Sequence, residues 1–475
     1  MIRHLFINGE WMEAESYVTL YAPYSGEAIA EVPAASEREV GLAIAAAEQA
    51  RETMRRMPAH QRAVILEKLA LLLGERREEG ARLIALEAAK PFKTALAEVD
   101  RTIQTYKFAA EEAKRIHGET IPMDAAPGGD HRTAYTVREP MGVVAAITPF
   151  NFPMNLVAHK VGPAIASGNT IVLKPANQTP LSAYFIGELL QEAGLPAGAL
   201  NIVTGSGKAI GDILVTDPRV AKITFTGSPE VGASIKAKAG LKRVTLELGS
   251  NSALIVDDHV SVDAIIPRCV MGAYAYQGQV CISLQRVYVV GEAKFTEFTE
   301  KFVAAALGLK LGDPLDVNTD VSSLITKKDL ARSLDWIEQA KQLGAEVALG
   351  GYAAEHGILR PTVLLHVGPR AWVSCKEVFA PIVLINKVDS VSEAIELVND
   401  SDFGLQAGIY TENLRTAMDA AERLQVGGVM INDVPTFRVD HMPYGGVKQS
   451  GMGREGIKYA MEEMTELKLV VINRN

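Results

Sequence analysis

The chain has 475 residues, enough for about three domain-sized pieces of roughly 150 residues each. Hydrophobic residues at 48% and charged residues at 22% describe a folded chain and exclude a disordered or low-complexity one. Lys and Arg number 48 against 57 Asp and Glu, a net charge of −9 spread through mixed-sign segments, which argues against the basic face that a nucleic-acid partner requires.

At the N-terminus, Met1–Trp11 sets Arg3 and Glu10 around a short apolar stretch, so it lacks the core of a signal peptide. No stretch anywhere approaches the roughly 20 apolar residues of a membrane span, and no membrane partner is expected. From Glu37 to about Ile116 the spacing predicts helices. Ile65, Leu66, Leu69, Leu72 and Leu73 recur at helical intervals among Arg, Lys and Glu, as in an amphipathic layer covering another element. His117–Arg138 breaks the pattern with Pro122, Pro127, Gly128 and Gly129, then supplies the alternating run Thr133–Val137, which predicts a loop followed by an extended strand.

Short β-rich runs then alternate with helical stretches. The strands are expected at Val143–Thr148, Thr170–Lys174, Leu200–Thr204, Lys222–Thr226 and Arg243–Leu248, with helices near Leu156–Ala166, Ser182–Ala193, Ala209–Val215 and Pro229–Ala239. Such alternation predicts an α/β fold with a doubly wound, Rossmann-like parallel sheet, whose ligands bind beyond the strand C-termini. A second α/β lobe is expected from about Ser252 to Gln425, with helices Phe295–Ala306 and Ala331–Leu343 and strands Val287–Val290 and Ile382–Asn386. Gly445–Gly456 is dense in glycine. The chain closes on a strand, Glu466–Ile472, with no evident partner of its own, a pattern that often completes another subunit's sheet.

The residues with chemistry cluster at the strand ends. Thr148-Pro149-Phe150-Asn151-Phe152-Pro153 reads either as a Pro-bracketed turn opening a helix or as a site where the Asn151 amide faces developing negative charge. Lys174-Pro175-Ala176-Asn177 places a lysine where a ribose or phosphate would lie, unless it is only a solvated loop charge. Gly205-Ser206-Gly207-Lys208 and Phe225-Thr226-Gly227-Ser228 fit neither the dinucleotide fingerprint nor the P-loop, but the second offers a glycine turn at a helix N-terminus that can meet a pyrophosphate. Glu247-Leu248-Gly249-Ser250 supplies a candidate base. Three cysteines are too few for a disulfide framework and match no zinc spacing, so no metal site and a reducing, cytoplasmic setting are expected. Cys269 and Cys375 read as small hydrophobes. Cys281, in Gln277-Gly278-Gln279-Val280-Cys281, has space around its sulfur and reads as a nucleophile.

In this order the motifs resemble the aldehyde dehydrogenase superfamily over nearly the whole chain, from Phe6-Ile7-Asn8-Gly9-Glu10-Trp11 onward. Further members of the set are Glu377-Val378-Phe379-Ala380-Pro381, Phe403-Gly404-Leu405 and Pro443-Tyr444-Gly445-Gly446-Val447-Lys448-Gln449-Ser450-Gly451-Met452-Gly453-Arg454-Glu455. The resemblance implies that Cys281 attacks an aldehyde, that Asn151 and the Cys281 N–H hold the oxyanion, and that Glu247 activates water against the resulting thioester. It assigns Lys174 to the adenosine ribose of NAD or NADP, Gly227 and Ser228 to the pyrophosphate region, and Glu377 and Phe379 to the nicotinamide ribose and ring. Pro149, Gly207, Phe225 and Leu248 complete the expected cofactor cradle. Asn177 stands where many NAD-preferring members carry Glu, which makes NADP tolerable; Ser250 replaces a common Gly, and Phe150 a common Trp.

The stretch Asn432–Asp440 is similar to that of lactaldehyde- and glyceraldehyde-type members. It points to a short polar small-molecule aldehyde, with Asn155, Arg438 and His441 expected at the mouth of the substrate tunnel, unless Arg438 simply pairs with Asp440 or another surface acid. The resemblance further implies a cofactor domain of residues 1–117 and 139–248, a catalytic domain of 249–445, and a small β bridging element of 118–138 and 446–475 that joins homodimers or homotetramers. Two alternatives are a CoA-acylating enzyme and a catalytically silent nucleotide-binding protein on the same scaffold. The presence of Glu247 speaks against the first, and the presence of all three of Cys281, Asn151 and Glu247 against the second.

Overall fold

The computed structural model describes residues 1–474. The five strands expected between 143 and 248 form the parallel centre of an eight-stranded sheet in the order Leu200–Ile202, Thr170–Lys174, Val143–Ile147, Val220–Thr226, Arg243–Glu247. In chain terms that is third, second, first, fourth, fifth. The winding therefore reverses between Val143–Ile147 and Val220–Thr226, and the loops leaving those two strands open into the crevice where doubly wound sheets take ligands.

Helix Glu37–Arg56 starts at a capping box, with Ser36 and Glu39 satisfying each other's backbone N–H groups. It packs on one face of this sheet beside Gly207–Thr216 and Pro229–Lys238, burying Val40, Ile44, Ile210 and Ile235 against Val143 and Ile223. The other face carries Ala59–Glu75, Phe92–Ala113, Asn155–Ala166 and Leu181–Ala193. The helical stretch from 37 to 113 thus serves both faces rather than one.

Both edges of the sheet extend beyond the sequence expectation. Asn8 and Gly9, at φ 55° and 78°, close a two-residue hairpin between Leu5–Ile7 and Glu10–Met12, and this ribbon pairs antiparallel with Leu200–Ile202. At the opposite edge Gly451–Met452 pairs antiparallel with Leu246 and Glu247, and helix Ile457–Glu463 packs on Asn155–Ala166. Residues 451–463 therefore pack on the first lobe, while Val447–Lys448, just before them, pair with Phe403–Gly404 of the second.

The second lobe holds a seven-stranded sheet. Thr362–Leu365, Ile382–Val388, Arg286–Val290, Ala253–Val256, Gln406–Tyr410 and Gly428–Ile431 run parallel, and Glu346–Leu349 closes one edge antiparallel. Helices Val262–Tyr274 and Glu292–Leu307 bury one face, Val391–Asn399 and Leu414–Arg423 the other.

The terminal strand finds its partner within its own chain, contrary to the expectation for an orphan strand. Thr465–Asn473 pairs antiparallel with Arg132–Pro140 along its full length, and Thr120–Ile121 adds a third strand. Leu467, Leu469 and Val471, on one face by the two-residue period of a strand, remain exposed. Among the described residues no helix is long and apolar enough to cross a membrane, and no group of three His, Cys, Asp or Glu is placed to hold a metal.

Candidate active site

The Cys281 loop begins where helix Val262–Tyr274 ends. Tyr276 and Gln277 both take left-handed backbone, at φ 48° and 55°, which costs a residue with a Cβ roughly 1–2 kcal/mol each. Side-chain bonds hold them there: Tyr276 Oη donates to the Ala88 carbonyl at 3.0 Å, and Gln277 Nε2 donates to the carbonyls of Ala89 and Ser323 at 2.8 and 3.0 Å. Gly278 follows at φ 70°, where a Cβ would stand 2.2 Å from the Ala380 carbonyl oxygen, so glycine is required. The turn delivers Cys281 into a cluster with Phe152, Tyr276 and Tyr444. Burial pushes its thiol up to about 11, Glu377 adds to the rise, and Arg438 and a hydrogen bond with Tyr444 oppose it.

Two further polar side chains belong to this site, one in contact with the thiol and one acting on it through its charge. Asn151 follows the Val143–Ile147 strand and brings its Nδ2 to 4.0 Å from Cys281 Sγ, while its own Oδ1 is buried without a partner. Glu247 ends the Arg243–Glu247 strand with both carboxyl oxygens buried and unpartnered. A Cβ on Gly445 would come within 2.9 Å of Glu247 Oε1, so the carboxyl has room because that residue is glycine. Burial, and after it the Glu455 charge, raise the Glu247 carboxyl well above the ordinary carboxylate range. A buried polar group without a partner costs about 1–3 kcal/mol. Three elements therefore present a thiol, an amide and a carboxyl whose burial favours its uncharged form, which is the set that nucleophilic acyl chemistry uses.

Behind this front row each charged or polar side chain has at least one partner, although His159 Nδ1 and Arg438 Nε are left without one. Helix Asn155–Ala166 is buried along its whole length, so its polar residues must be paired. Lys160 Nζ donates to Glu455 Oε1 and to Thr224 Oγ1, both at 3.1 Å. Arg438 Nη2 lies 3.0 Å from Glu455 Oε2 and 3.2 Å from His159 Nε2, which in turn is 2.9 Å from Asp440 Oδ1. Burial works against ionisation of Glu455, yet Lys160 and Arg438 hold its carboxyl down at about 2. Arg101 grips Asp440 with two nitrogens, at 3.2 and 2.7 Å.

Two of the three expected tunnel residues belong to this network instead. Asn155 gives its Nδ2 to Asp440 at 3.0 Å and takes the Thr105 hydroxyl at 2.9 Å, so its amide is consumed inside a buried helix and faces no opening. Arg438 stacks 3.7 Å over the Tyr444 ring with its side chain only 8% exposed; it stands behind the residue bonded to the thiol, paired with Glu455 rather than with Asp440. His441 is exposed, its ring 4.8 Å from that of Phe108. Arg101 was not legible in sequence. Its side chain is 31% exposed, and its guanidinium carbon lies 5.7 Å from the centroid of the Phe152 ring, which belongs to the cluster around the thiol. Its partner Asp440 is 339 residues away, and no local pattern marks the pair.

The expected cofactor residues line one path. Lys174 is buried at its strand end with the Pro175 carbonyl 3.3 Å from Nζ, and burial drives its ammonium down to about 8. Asn177 lies exposed just beyond it. Gly207 opens helix Gly207–Thr216 after the Ser206 cap, and Ser228 caps Pro229–Lys238. Phe225 and Leu248 pack where Cβ atoms on Gly227 and Gly232 would come within 2.5 Å, so glycine backbone faces the crevice at the second helix start. At the far end Phe150, next to Pro149, meets Phe379 edge-on at 5.7 Å. Glu377 accepts the Ser250 N–H at 3.0 Å, and burial raises its carboxyl to about 7. It lines one cavity together with Gly278, Cys281 and Phe379. A buried cation, a glycine-fronted helix N-terminus and a carboxyl beside two rings fit an extended dinucleotide whose nicotinamide end reaches the thiol.

The aldehyde dehydrogenase family profile matches residues 11–470. A 3-sulfolactaldehyde dehydrogenase from Priestia aryabhattai is 45% identical over 469 residues, covering 99% of this chain and 98% of the relative. A lactaldehyde dehydrogenase from Methanococcus aeolicus is 41% identical over 473 residues, covering 99% of this chain and 100% of the relative. The crystal structure of an NADP-dependent glyceraldehyde-3-phosphate dehydrogenase from Bacillus halodurans, complexed with NADP, is 38% identical with a TM-score of 0.97 and covers 100% of each chain.

Proposed function

The chain belongs to the aldehyde dehydrogenase family and is an NAD(P)-dependent aldehyde dehydrogenase, and from that premise we propose that it oxidises a short polar aldehyde with an anionic far end to the free acid, through a thioester on Cys281. The carrying observation is the approach of the Asn151 amide to the Cys281 thiol beside the unpartnered Glu247 carboxyl. In this reading the Cys281 thiol releases its proton to solvent, its sulfur bonds to the carbonyl carbon as the C=O π bond opens, and the oxygen that becomes anionic meets Asn151 Nδ2 and the Cys281 N–H. One such donor is typically worth on the order of 10²–10³ in rate. Bound NAD(P)⁺ supplies the hydride acceptor, with Lys174 on the adenosine ribose, Gly227 and Ser228 at the pyrophosphate, and Glu377 and Phe379 on the nicotinamide half. Glu247, once it has lost its proton, takes one from the water that releases the acid. That base supports hydrolysis over transfer to CoA.

Arg101 supports the anionic end of the substrate, because its partly exposed guanidinium lies beside Phe152 in the cluster that holds the thiol. The relatives named for 3-sulfolactaldehyde and glyceraldehyde 3-phosphate act on aldehydes that carry such a group. Asn177 supports use of NADP: a carboxylate there would oppose a 2′-phosphate by about 4 kcal/mol per charge pair at 4 Å and an effective dielectric of 20, before screening. The exposed Leu467, Leu469 and Val471 face supports assembly into dimers or tetramers, and three unpaired thiols support a reducing, cytoplasmic setting.

The test crosses 3-sulfolactaldehyde, glyceraldehyde 3-phosphate, lactaldehyde, succinic semialdehyde and hexanal with NAD and NADP. The expected result is at least tenfold higher kcat/KM on an anionic aldehyde than on hexanal, lost in Arg101→Met, with NADP accepted. Preference for hexanal overturns the substrate reading, and an advantage of several orders of magnitude for NAD overturns the Asn177 reading.

A further inference from the structure

The two halves of the proposed oxyanion hole come from different lobes, Asn151 from the first sheet and Cys281 from a helix end of the second. One short corner of chain, between helices Arg77–Ala88 and Phe92–Ala113, touches both. Glu87 fixes the corner to the first lobe by accepting the N–H groups of Leu181 and Ser182 at 2.7 and 3.0 Å. The carbonyls of Ala88 and Ala89 accept the Tyr276 hydroxyl and Gln277 amide that hold the left-handed turn before Cys281. Ala89 is itself left-handed, at φ 48°, so the corner too is held away from its relaxed backbone.

Lys90 is the centre of this corner. It is wholly buried, donates to the Asn151 carbonyl at 2.6 Å and pairs with buried Glu98. Its ammonium lies 3.9 Å from the Phe152 ring centroid and 4.3 Å from that of Tyr276, one ring from the Asn151 loop and one from the Cys281 loop. Glu98 Oε1 accepts the N–H groups of Met154 and Asn155 at 2.9 and 3.1 Å, gripping the same loop from its other end. One buried ion pair thus ties the Asn151 loop at both ends and joins it to the nucleophile turn through the Phe152 and Tyr276 rings, which meet edge-on at 6.4 Å.

We propose that Lys90 is a positioning residue for the dehydrogenase reaction, locking the Asn151 loop onto the Cys281 loop and so setting the amide-to-sulfur separation on which oxyanion stabilisation depends. The inference rests on the reading of Asn151 as an oxyanion donor. Lys90 touches neither substrate nor cofactor in it and acts through Asn151 alone. Misplacing a reacting or stabilising group by about 1 Å can cost on the order of 10² in rate.

A double-mutant cycle on single-turnover hydride transfer tests this. Lys90→Met/Glu98→Gln removes both charges together, so neither is stranded in the core. Expected are a loss on the order of 10²–10³ for Asn151→Ala and a loss of about 10–100-fold for the paired variant, with cofactor Kd unchanged. In the Asn151→Ala background the paired variant should cost less than about threefold, since the group it positions is gone. Equal losses in both backgrounds, or none in either, overturn the role of Lys90. An unchanged rate in Asn151→Ala overturns instead the oxyanion reading beneath it. Tyr276→Phe removes one hydroxyl and no charge, and carries the same cycle if the paired variant does not fold: its smaller loss should likewise vanish in the Asn151→Ala background, and persistence there contradicts the proposal.

Discussion

The front and the back of the catalytic cleft are built on opposite principles. At the front, burial favours the uncharged forms of Cys281 and Glu247 beside the Asn151 amide, and the Glu247 carboxyl has no hydrogen-bond partner. A few ångströms behind, Lys160, Glu455, Arg438, His159, Asp440 and Arg101 are charged or polar groups, nearly all of them paired. Apart from the partly exposed Arg101 and Cys281, both regions are buried, so solvent exposure does not distinguish them. Partnership separates them by degree: the Glu247 carboxyl and Asn151 Oδ1 have no partner, whereas every charged side chain behind them has at least one, with only His159 Nδ1 and Arg438 Nε left over.

The sharpest way to break this contrast is to ask whether front-row substitutions strike activity alone. Cys281→Ala should lower the rate of NAD(P)H formation by on the order of 10⁴ or more, with cofactor binding and the unfolding midpoint retained. Residual full activity would remove Cys281 from the front row. A back-row substitution should do the reverse first. Glu455→Gln leaves Lys160 and Arg438 buried without their carboxylate, and breaking a buried pair costs about 3–5 kcal/mol, measurable by urea unfolding. Because the Glu455 charge is one cause of the raised Glu247 carboxyl, the same variant should move the acid limb of the pH–rate profile downward.

Glu377 gives a smaller and more selective effect. Burial raises its carboxyl from 4.5 to about 7, so the folded state holds a proton that the unfolded chain releases first. Its contribution to stability is complete below pH 4.5 and is lost as pH rises towards 7, a change of about 3 kcal/mol at most. Glu377→Gln should therefore remove that much of the slope in unfolding free energy between pH 4.5 and 7. An unchanged slope would show that the carboxyl is not held neutral.

How far each region can be read in sequence follows from the range of its contacts. The front row was legible because Asn151 and Glu247 fall at strand ends in an alternating pattern that fixes a parallel sheet, because Gly278 and Gln279 leave room around the Cys281 sulfur at a helix end, and because the motifs fall in the order of a known family. The back row was not, because its pairs join residues 295, 285 and 339 apart, as in Lys160–Glu455, Asn155–Asp440 and Arg101–Asp440. A partial signal existed: Asn155, His159 and Lys160 recur on one side of an otherwise apolar helix, and a polar stripe in a buried helix demands partners. The same holds for the first hairpin. Three-residue strands carry no usable periodicity, but Asn8-Gly9 is itself a hairpin turn signal. The Glu466–Ile472 run was visible as a strand, while its partner, Arg132–Pro140, lies too far back in the chain for any local pattern to join them.

The most direct test of the front-row account is a single turnover of Glu247→Gln with an anionic aldehyde and NADP, followed by intact mass and peptide mapping. The account expects one equivalent of NADPH per active site, released quickly, and an acyl mass on Cys281 that persists because no base activates water. Steady turnover at the wild-type rate, or an acyl group on any other residue, would contradict it.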